Sequence, residues 1–318
     1  MFSLNFTIKQ KYINKCKLIY LMYKDFQKSG IIHKIIQQKV KDNYNNFNTA
    51  LDIVEFIENN ILTLTKFNNQ KPLNAGIGFP VGISINDTAA HFTPSKENNP
   101  IINPDDIIKI DFGVHINGCI SDGAFSWCPS GKYDELINIS KGATEIGIKH
   151  SGPDAILGEI GGYIQEYIES KEIEIDNKTY HIKSIYDLSG HNIAPYVIHV
   201  NKAVPNIKIP YYYERMVENE VFAIETFPTT GCGDIYNDRE CNHYMIEPKN
   251  VCKFNDDKIQ NIYDVRKTLA FCPRWFDFEI PKNKIISEYP VLKTTDGGLV
   301  AQYEKTIYIK DNGISIIN

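Results

Sequence analysis

The 318-residue chain lacks several features that would assign it to a common class of protein. Its seven cysteines show no Cys-x-x-Cys spacing, which excludes the usual structural zinc and dithiol redox motifs and favours reduced, intracellular thiols. No apolar run approaches the roughly 18 residues of a transmembrane helix, and Lys9 and Lys11 stand where a signal peptide needs an apolar core. The net charge of −5 provides no basic field for nucleic acid. These absences predict a cytoplasmic protein that binds neither membranes nor nucleic acid.

What is present is a helical first part followed by a β-rich remainder. The apolar periodicity predicts helices from about Lys9 to Gln27, from Ile31 to Val40 and from Thr49 to Leu64. Beyond these, short β-like runs alternate with Gly and Pro, and helices precede antiparallel strands twice along the chain. We therefore expect an α+β fold with two similar halves, in which residues 1–73 form a helical segment packed on a domain of residues 74–318.

The most informative stretch, Ile108 to Phe125, is typical of a β-hairpin that carries two aspartates on one face. Apolar residues flank Asn117-Gly118, the strongest short-range signal for a two-residue turn with positive φ. With that turn, Asp111 and Asp122 become diagonal neighbours that point the same way. Such a pair more often marks a solvated sheet edge, but the apolar flanking residues indicate a buried hairpin. Desolvated like charges need compensation, which divalent metal ions supply.

Further oxygen and imidazole ligands occur along the chain. Glu225 and Glu304 each lie in an apolar β run, where a lone glutamate is more often an edge residue. His191 follows a glycine that permits close backbone approach, and His91 follows two alanines; a lone histidine in either context is more often a structural residue. Taken together, two aspartates, two glutamates and a histidine suit hard divalent ions such as Mn²⁺, Fe²⁺ or Co²⁺, with Zn²⁺ as an alternative.

Five segments resemble, in order, those of type 2 methionine aminopeptidases of the pita-bread creatinase/aminopeptidase fold: Asn86–Pro94, Lys109–Gly113, Gly190–Ile193, Ala223–Phe227 and Ala301–Thr306. The resemblance covers the chain from about residue 74 onward. It implies a pseudo-two-fold antiparallel sheet flanked by helices, with a type 2 helical insertion at about 243–290. The 79 positions from Glu225 to Glu304 leave room for that insertion, which type 1 enzymes lack.

The resemblance also implies the residues of the site. Two divalent metal ions (Mn, Fe, Co or Zn) would be held by Asp111, Asp122, His191, Glu225 and Glu304. The catalytic residues would be His91, His199 and Glu225. The two catalytic histidines would also contact the substrate, and the methionine pocket would be completed by Phe79, Ile198, His243, Ala270 and Tyr289.

The implied activity is removal of the N-terminal initiator methionine from nascent proteins and peptides, with a preference for small second residues. Glu225 would carry the proton from water to the leaving amine, and His91 would stabilise the oxyanion or the leaving amide. The expected partners are the N-terminal methionine of nascent polypeptides and, transiently, the ribosome; we expect a monomer. Two alternatives stay open: a prolidase-like or aminopeptidase P-like peptidase, which shares the five ligands, and a catalytically inactive pita-bread protein that only binds.

Overall fold

The structure, a computed structural model, describes residues 2–247, 249 and 254–318, with residues 2–15 described by their backbone alone. Within these residues the α-helices are α1 (Phe2–Asp42), α2 (Ala50–Leu64), α3 (Asp134–Lys149), α4 (Leu157–Glu169) and α5 (Asp257–Arg266). The strands of the first half are β1 (Ala75–Ile77), β2 (Gly82–Ile85), β3 (Thr88–Ala90), β4 (Ile108–Ile116) and β5 (Cys119–Trp127). Those of the second half are β6 (Glu172–Ile175), β7 (Lys178–His181), β8 (Lys183–Ser184), β9 (Ser189–Ile193), β10 (Ala203–Pro205), β11 (Val221–Thr226), β12 (Pro228–Thr229), β13 (Ile235–Asn237), β14 (His243–Ile246), β15 (Ile286–Tyr289), β16 (Leu292–Thr294), β17 (Tyr303–Lys310) and β18 (Gly313–Ile316).

The first half of the fold is an antiparallel sheet covered by α1 and α2. Strand β4 pairs with β5 along one edge and with β1 and β2 along the other. Helix α2 begins at a capping box in which Thr49 and Asp52 bond each other's backbone amides, a pairing that satisfies two otherwise unpaired N–H groups. The apolar face of α2 then packs on β4 in one core cluster, which fixes the sheet that carries both aspartates.

Helix α1 runs without interruption through Gly30, so the predicted break between Gln27 and Ile31 is wrong. The glycine is explained by packing, because a Cβ at residue 30 would overlap the carbonyl oxygen of Ile317. A glycine that lowers helix propensity is tolerated where it permits such a close approach. One helical turn further on, buried His33 reaches across and its Nε2 lies 3.0 Å from the Phe112 carbonyl oxygen of β4.

The second half repeats the arrangement of helices followed by antiparallel strands. Strands β10, β9, β11, β17 and β18 form a five-stranded antiparallel sheet in that order, and α3 packs on β11 and β17. The residues of α3 and α4 share a core cluster with this sheet. The predicted α+β class with two similar halves is therefore confirmed.

The two sheets meet where β5 lies beside β17. The backbone amide of Asp122 donates to the hydroxyl of Thr306 at 2.8 Å, and that hydroxyl donates to the Asp122 carbonyl at 2.7 Å. Ser126 and Gln302 make the equivalent pair of bonds at 3.0 and 2.8 Å. Side-chain hydroxyls thus take the place of direct backbone hydrogen bonds between the two sheets. Candidate ligands lie on both sides of this junction.

The stretch 243–290, predicted as a helical insertion, carries α5 and the 3₁₀ turn Pro273–Trp275 between the paired strands β14 and β15. Its residues 248 and 250–253, like residue 1 of the predicted N-terminal segment, lie outside the described residues. The division at residue 73 remains a prediction. Among the residues with described placement, no helix is both long enough and apolar enough to cross a membrane.

Candidate active site

The hairpin of β4 and β5 forms with the predicted register. Ile116 pairs with Cys119 across the Asn117-Gly118 turn, and both turn residues have positive φ. The register sets Asp111 opposite Ala124 and Asp122 opposite Gly113, so the two carboxylates share one face. A side chain at residue 113 would collide with the ring of Phe79, which means that this glycine makes room for a wall of the site.

The five-stranded sheet brings the remaining candidate ligands to the same place. Glu225 of β11 is paired directly with Glu304 of β17, and His191 of β9 is paired with Ala223, two residues from Glu225 and on the same face. Ligand atoms of Asp122, His191 and Glu304 lie within 4.8 Å of one another, as do those of Asp111, Glu225 and Glu304. The five predicted residues thus form two groups that share Glu304, and each group can hold a metal ion.

The chemistry of these side chains fits divalent cations. Both carboxylate oxygens of Glu304, Oδ1 of Asp111 and Nδ1 of His191 are buried and have no hydrogen-bond partner among the described residues. Burial raises the pKa of Asp111 to about 7, and burial, with the neighbouring carboxylates second, raises the pKa of Asp122 and Glu304 well above the usual range. Orphaned oxygens that resist ionisation are the donors that a hard cation would satisfy.

Gln302 belongs to this cluster, although it was not among the predicted site residues. Its side-chain Nε2 donates to Oε1 of Glu225 at 2.6 Å and lies 3.4 Å from Oδ2 of Asp111. The available signal was its position two residues before Glu304, which puts both side chains on one face of an extended segment. An amide that holds two candidate ligands orients them before any cation binds.

The predicted catalytic histidines lie beside the cluster and are electrically neutral near pH 7. The ring of His199 meets that of His191 edge to face, with centroids 4.3 Å apart. Burial, with the nearby His91 second, lowers the pKa of His199 to about 4, and burial lowers the pKa of His91. Nδ1 of His91 lies 3.1 Å from the carbonyl oxygen of Pro290, an acceptor, so Nδ1 carries the ring proton. His91 also holds a left-handed backbone with φ of 67°, a conformation typical of functional sites.

All twelve predicted site residues line one cavity of about 400 Å³. This volume is within the range of small-ligand sites. Its apolar wall includes Phe79, Ile198, Ala270 and Tyr289, which belong to one hydrophobic cluster. The roles assigned to these residues remain predictions; their convergence on one cavity is observed. His243 also connects two backbone segments of the cavity. Its ring nitrogens Nδ1 and Nε2 lie 2.9 and 3.1 Å from the carbonyl oxygens of His91 and Pro80, respectively.

Several lining residues were missed by the sequence reasoning. Met245 lies two residues after His243 in β14, so the strand period places both on one face and could have identified it. The segments 187–189 and 200–203 also line the cavity. No sequence motif marks these segments, because their position at the cavity depends on the loop that links β9 to β10 and on the turn before β9.

Comparisons with known proteins identify the family of the chain. Residues 24–311 match metallopeptidase family M24. Methionine aminopeptidase 2 of Yarrowia lipolytica is 39% identical over 309 residues, which cover 91% of this chain and 64% of the relative. Methionine aminopeptidase 2 of Clavispora lusitaniae is 37% identical over 312 residues, 93% of this chain and 71% of the relative. The chain thus spans roughly two thirds of the length of these relatives.

Solved structures share the fold at low sequence identity. A methionine aminopeptidase from Thermotoga maritima matches with a TM-score of 0.64 and 20% identity, covering 92% of this chain and 95% of the other. A thermophilic Arx1 matches with a TM-score of 0.72 and 16% identity, covering 93% and 90%. At these identities the likeness establishes the architecture alone, and it confirms the predicted pita-bread fold.

Proposed function

The chain belongs to metallopeptidase family M24, with methionine aminopeptidase 2 relatives, and we propose that it removes the N-terminal methionine from polypeptides by metal-dependent hydrolysis. The observation that carries this proposal is the placement of the five candidate ligands in the same 400 Å³ cavity as an apolar wall. A free N-terminus that enters this cavity meets carboxylates, and an unbranched thioether side chain meets apolar and aromatic groups.

We propose that the site holds two divalent ions, one for each group of ligands, with Mn²⁺, Fe²⁺, Co²⁺ and Zn²⁺ as the candidates. The two groups share Glu304 and use one histidine with four carboxylates, a donor set that these ions accept. When bound, such ions polarise a carbonyl oxygen and lower the pKa of water towards neutrality.

Glu225 acts as the proton carrier in this proposal. In the metal-free site, burial, with the charges of Asp111 and Asp122 second, raises the pKa of its carboxyl well above the ordinary range. With the ions bound, a carboxylate held in this position can both take and give a proton. The hydrogen bond from Gln302 fixes Oε1, so Oε2 is the oxygen that accepts a proton from water and passes it to the leaving amine. Proton transfer by a positioned group of this kind contributes roughly 10²- to 10⁴-fold to the rate.

The two histidines then position the substrate. Because Nδ1 of His91 donates to the Pro290 carbonyl and the ring is neutral, its Nε2 is a hydrogen-bond acceptor. An acceptor suits the N–H of the leaving amide better than the developing oxyanion, which favours the second of the two roles predicted for His91. His199 stands between His191 and Tyr289, with ring centroids 4.3 and 5.9 Å away, and steers the methionine backbone.

The substrate preference follows from the walls. Phe79, Ile198, Ala270 and Tyr289 accept the methionine side chain, and we propose that the second residue must be small because it lies beside the ligand cluster. We further propose that the protein acts in the cytoplasm as a monomer on nascent chains, with transient contact with the ribosome. A prolidase-like or aminopeptidase P-like activity remains the alternative, since either would use the same ligands.

The proposal is tested by incubating the protein with Met-Ala-Ser and with Ala-Pro-Ser in the presence of Mn²⁺. We expect release of methionine from the first peptide and no cleavage of the second. Glu225→Gln should lower turnover of Met-Ala-Ser by at least about 100-fold while circular dichroism still reports folded protein, whereas Glu218→Gln, an exposed control, should behave like the wild type. Cleavage of Ala-Pro-Ser alone would identify an aminopeptidase P-like enzyme and overturn the proposal.

A further inference from the structure

A shallow groove shares the residue Lys202 with the cavity and takes no part in the function proposed above. It has a volume of about 680 Å³ and is lined by Lys202, Tyr211, Tyr212, Tyr213, Glu214, Arg215 and Val217. Tyr211 and Tyr213 are 86% and 66% exposed, and their rings meet edge to face with centroids 6.5 Å apart. Val217 is also largely exposed. Tyrosines that present rigid amphipathic surface to solvent are typical of contact sites for other chains.

The backbone beneath the tyrosines is held firmly against α4. The glycines of the motif Gly158-Glu159-Ile160-Gly161-Gly162 lie inside this helix and not before it. A Cβ at residue 158 would lie 2.6 Å from the carbonyl oxygen of Tyr212, and one at residue 161 would overlap the carbonyl of Ile207. These two glycines therefore let the segment that precedes and includes the tyrosines lie directly on the helix.

Backbone hydrogen bonds fix the other end of the segment. The amide of Leu157 donates to the Glu214 carbonyl at 2.9 Å, and Met216 exchanges bonds with Ala155 and Asp154 at 3.0 and 2.9 Å. Because this backbone is already ordered, a ligand of the groove would not have to order it, and less free energy is lost on binding.

The groove adjoins the active-site cavity at one residue. Lys202 lines both of them. The hydroxyl of Tyr212 accepts from the Ala203 amide and donates to the Ala203 carbonyl, both at 3.1 Å, so the tyrosine segment is tied to a residue of the cavity wall. A chain that leaves the cavity past Lys202 would therefore reach the segment that carries the exposed tyrosines.

The charges of the groove favour a polypeptide over a polyanion. The Lys202 ammonium is 2.7 Å from Oε1 of Glu220 and donates to the Arg215 carbonyl at 2.7 Å, so its charge is compensated. Arg215 donates to the carbonyl of Asp154 at 2.6 Å, and Glu214 adds a negative charge to the rim. Binding of a phosphate backbone depends on an excess of cations, whereas here Glu220 and Glu214 balance the charges of Lys202 and Arg215.

We infer that this groove binds the substrate's own chain beyond its second residue, with aromatic contacts to Tyr211 and Tyr213. The inference rests on the proposed function, because it takes the N-terminus of that chain to lie in the cavity. It predicts that the enzyme distinguishes a long peptide from a tripeptide although both present the same residues to the ligand cluster.

The test compares kcat/KM for Met-Ala-Ser with kcat/KM for a ten-residue peptide that begins with the same three residues. We expect the kcat/KM of the wild type to be about tenfold higher for the longer peptide. This is the affinity that one or two well-placed aromatic contacts typically contribute. The double variant Tyr211→Ser/Tyr213→Ser should lose that preference through a raised KM while its kcat/KM for Met-Ala-Ser is unchanged. Tyr20→Ser, which alters a tyrosine 58% exposed on α1, should keep the preference.

If the double variant keeps the tenfold preference, or the wild type does not show it, the proposal that the groove binds the substrate chain is wrong. The proposed function would still hold in that case, since Met-Ala-Ser turnover would report an active enzyme. If the wild type releases methionine from neither peptide, the proposed function is wrong, and the assignment of the groove is wrong with it. Unchanged tripeptide turnover by the double variant also shows that it has folded.

Discussion

The side-chain amide of Gln302 donates to Oε1 of Glu225 at 2.6 Å and reaches Oδ2 of Asp111 at 3.4 Å. One nitrogen therefore contacts a carboxylate from each of the two sheets. Because Gln302 is itself bonded to Ser126 through its backbone, the amide is held at the junction between the sheets. This relationship explains how two candidate ligands are oriented although each resists ionisation in its buried position.

Replacement of Gln302 by Leu should weaken divalent-metal binding by about 10- to 100-fold, the usual loss when an outer partner of a metal ligand is removed. Titration of metal-stripped protein with Mn²⁺, followed by calorimetry, measures this directly. Gln260→Leu, which removes an exposed amide bonded only to Asp264 in the described part of the chain, serves as the control. Equal affinity in Gln302→Leu and the wild type would show that the amide has no orienting role.

Thr306 should contribute to stability through its hydroxyl. Thr306→Val keeps the shape of the side chain but leaves the buried backbone amide of Asp122 without its acceptor. We expect unfolding in denaturant to report a loss of about 1–3 kcal/mol. Thr306→Ser retains the hydroxyl and should lose much less. If the valine and serine variants are equally stable, the junction between β5 and β17 does not depend on these bonds.

The stability of the metal-free protein should depend on pH through Asp111. Burial raises the pKa of its carboxyl in the folded state to about 7, whereas an unfolded chain has the ordinary value of about 4. The folded state therefore holds this proton more tightly, so the contribution to stability is complete below about pH 4 and is lost as the pH rises through 7.

The measurement is the melting temperature of metal-stripped wild type minus that of Asp111→Asn, at pH 5 and at pH 8. Buried histidines titrate in both proteins and cancel in the difference. The carboxyls of Asp122, Glu225 and Glu304 do not cancel, but because the Asp111 charge raises their pKa values further, they add to the difference in the same direction. We expect the wild type to lose stability relative to the variant at pH 8 and to regain it when Mn²⁺ is added, because a cation takes the place of the proton. A difference that is independent of pH would contradict the raised pKa.

The methionine pocket should close when its small wall residue is enlarged. Ala270 lines the cavity within the cluster that also holds Phe79 and Ile198. Ala270→Leu would occupy the space of the substrate side chain and should lower kcat/KM for Met-Ala-Ser by roughly tenfold or more, with metal affinity unchanged. Ala270→Gly keeps the space open and serves as the control. Normal turnover by the leucine variant would show that Ala270 does not line the methionine pocket.

The sequence predicted the hairpin register correctly because a two-residue Asn-Gly turn determines every later pair on its own. The predicted break in α1 failed because Gly30 serves a contact with Ile317, nearly 290 positions away, that local periodicity does not contain. The hairpin indicated the two aspartates, and Glu225, Glu304 and His191 were candidates by residue type. Only the family resemblance joined them into one set, since no local rule brings β9, β11 and β17 beside β5. Gln302 and Met245 could have been predicted from the alternation of side chains along a strand, since each lies two residues from a predicted site residue. The tyrosine groove could not, because it depends on how one loop packs against α4.

The most direct test of the account is release of free methionine from Met-Ala-Ser by metal-stripped protein, before and after Mn²⁺ or Co²⁺ is added. The account predicts no release from the stripped protein and recovery of turnover as the divalent ion is restored, with loss of that recovery in Glu304→Gln, which lacks the carboxylate shared by both ligand groups. Folded protein that releases no methionine with any divalent ion, or that releases it equally after stripping, would contradict the account.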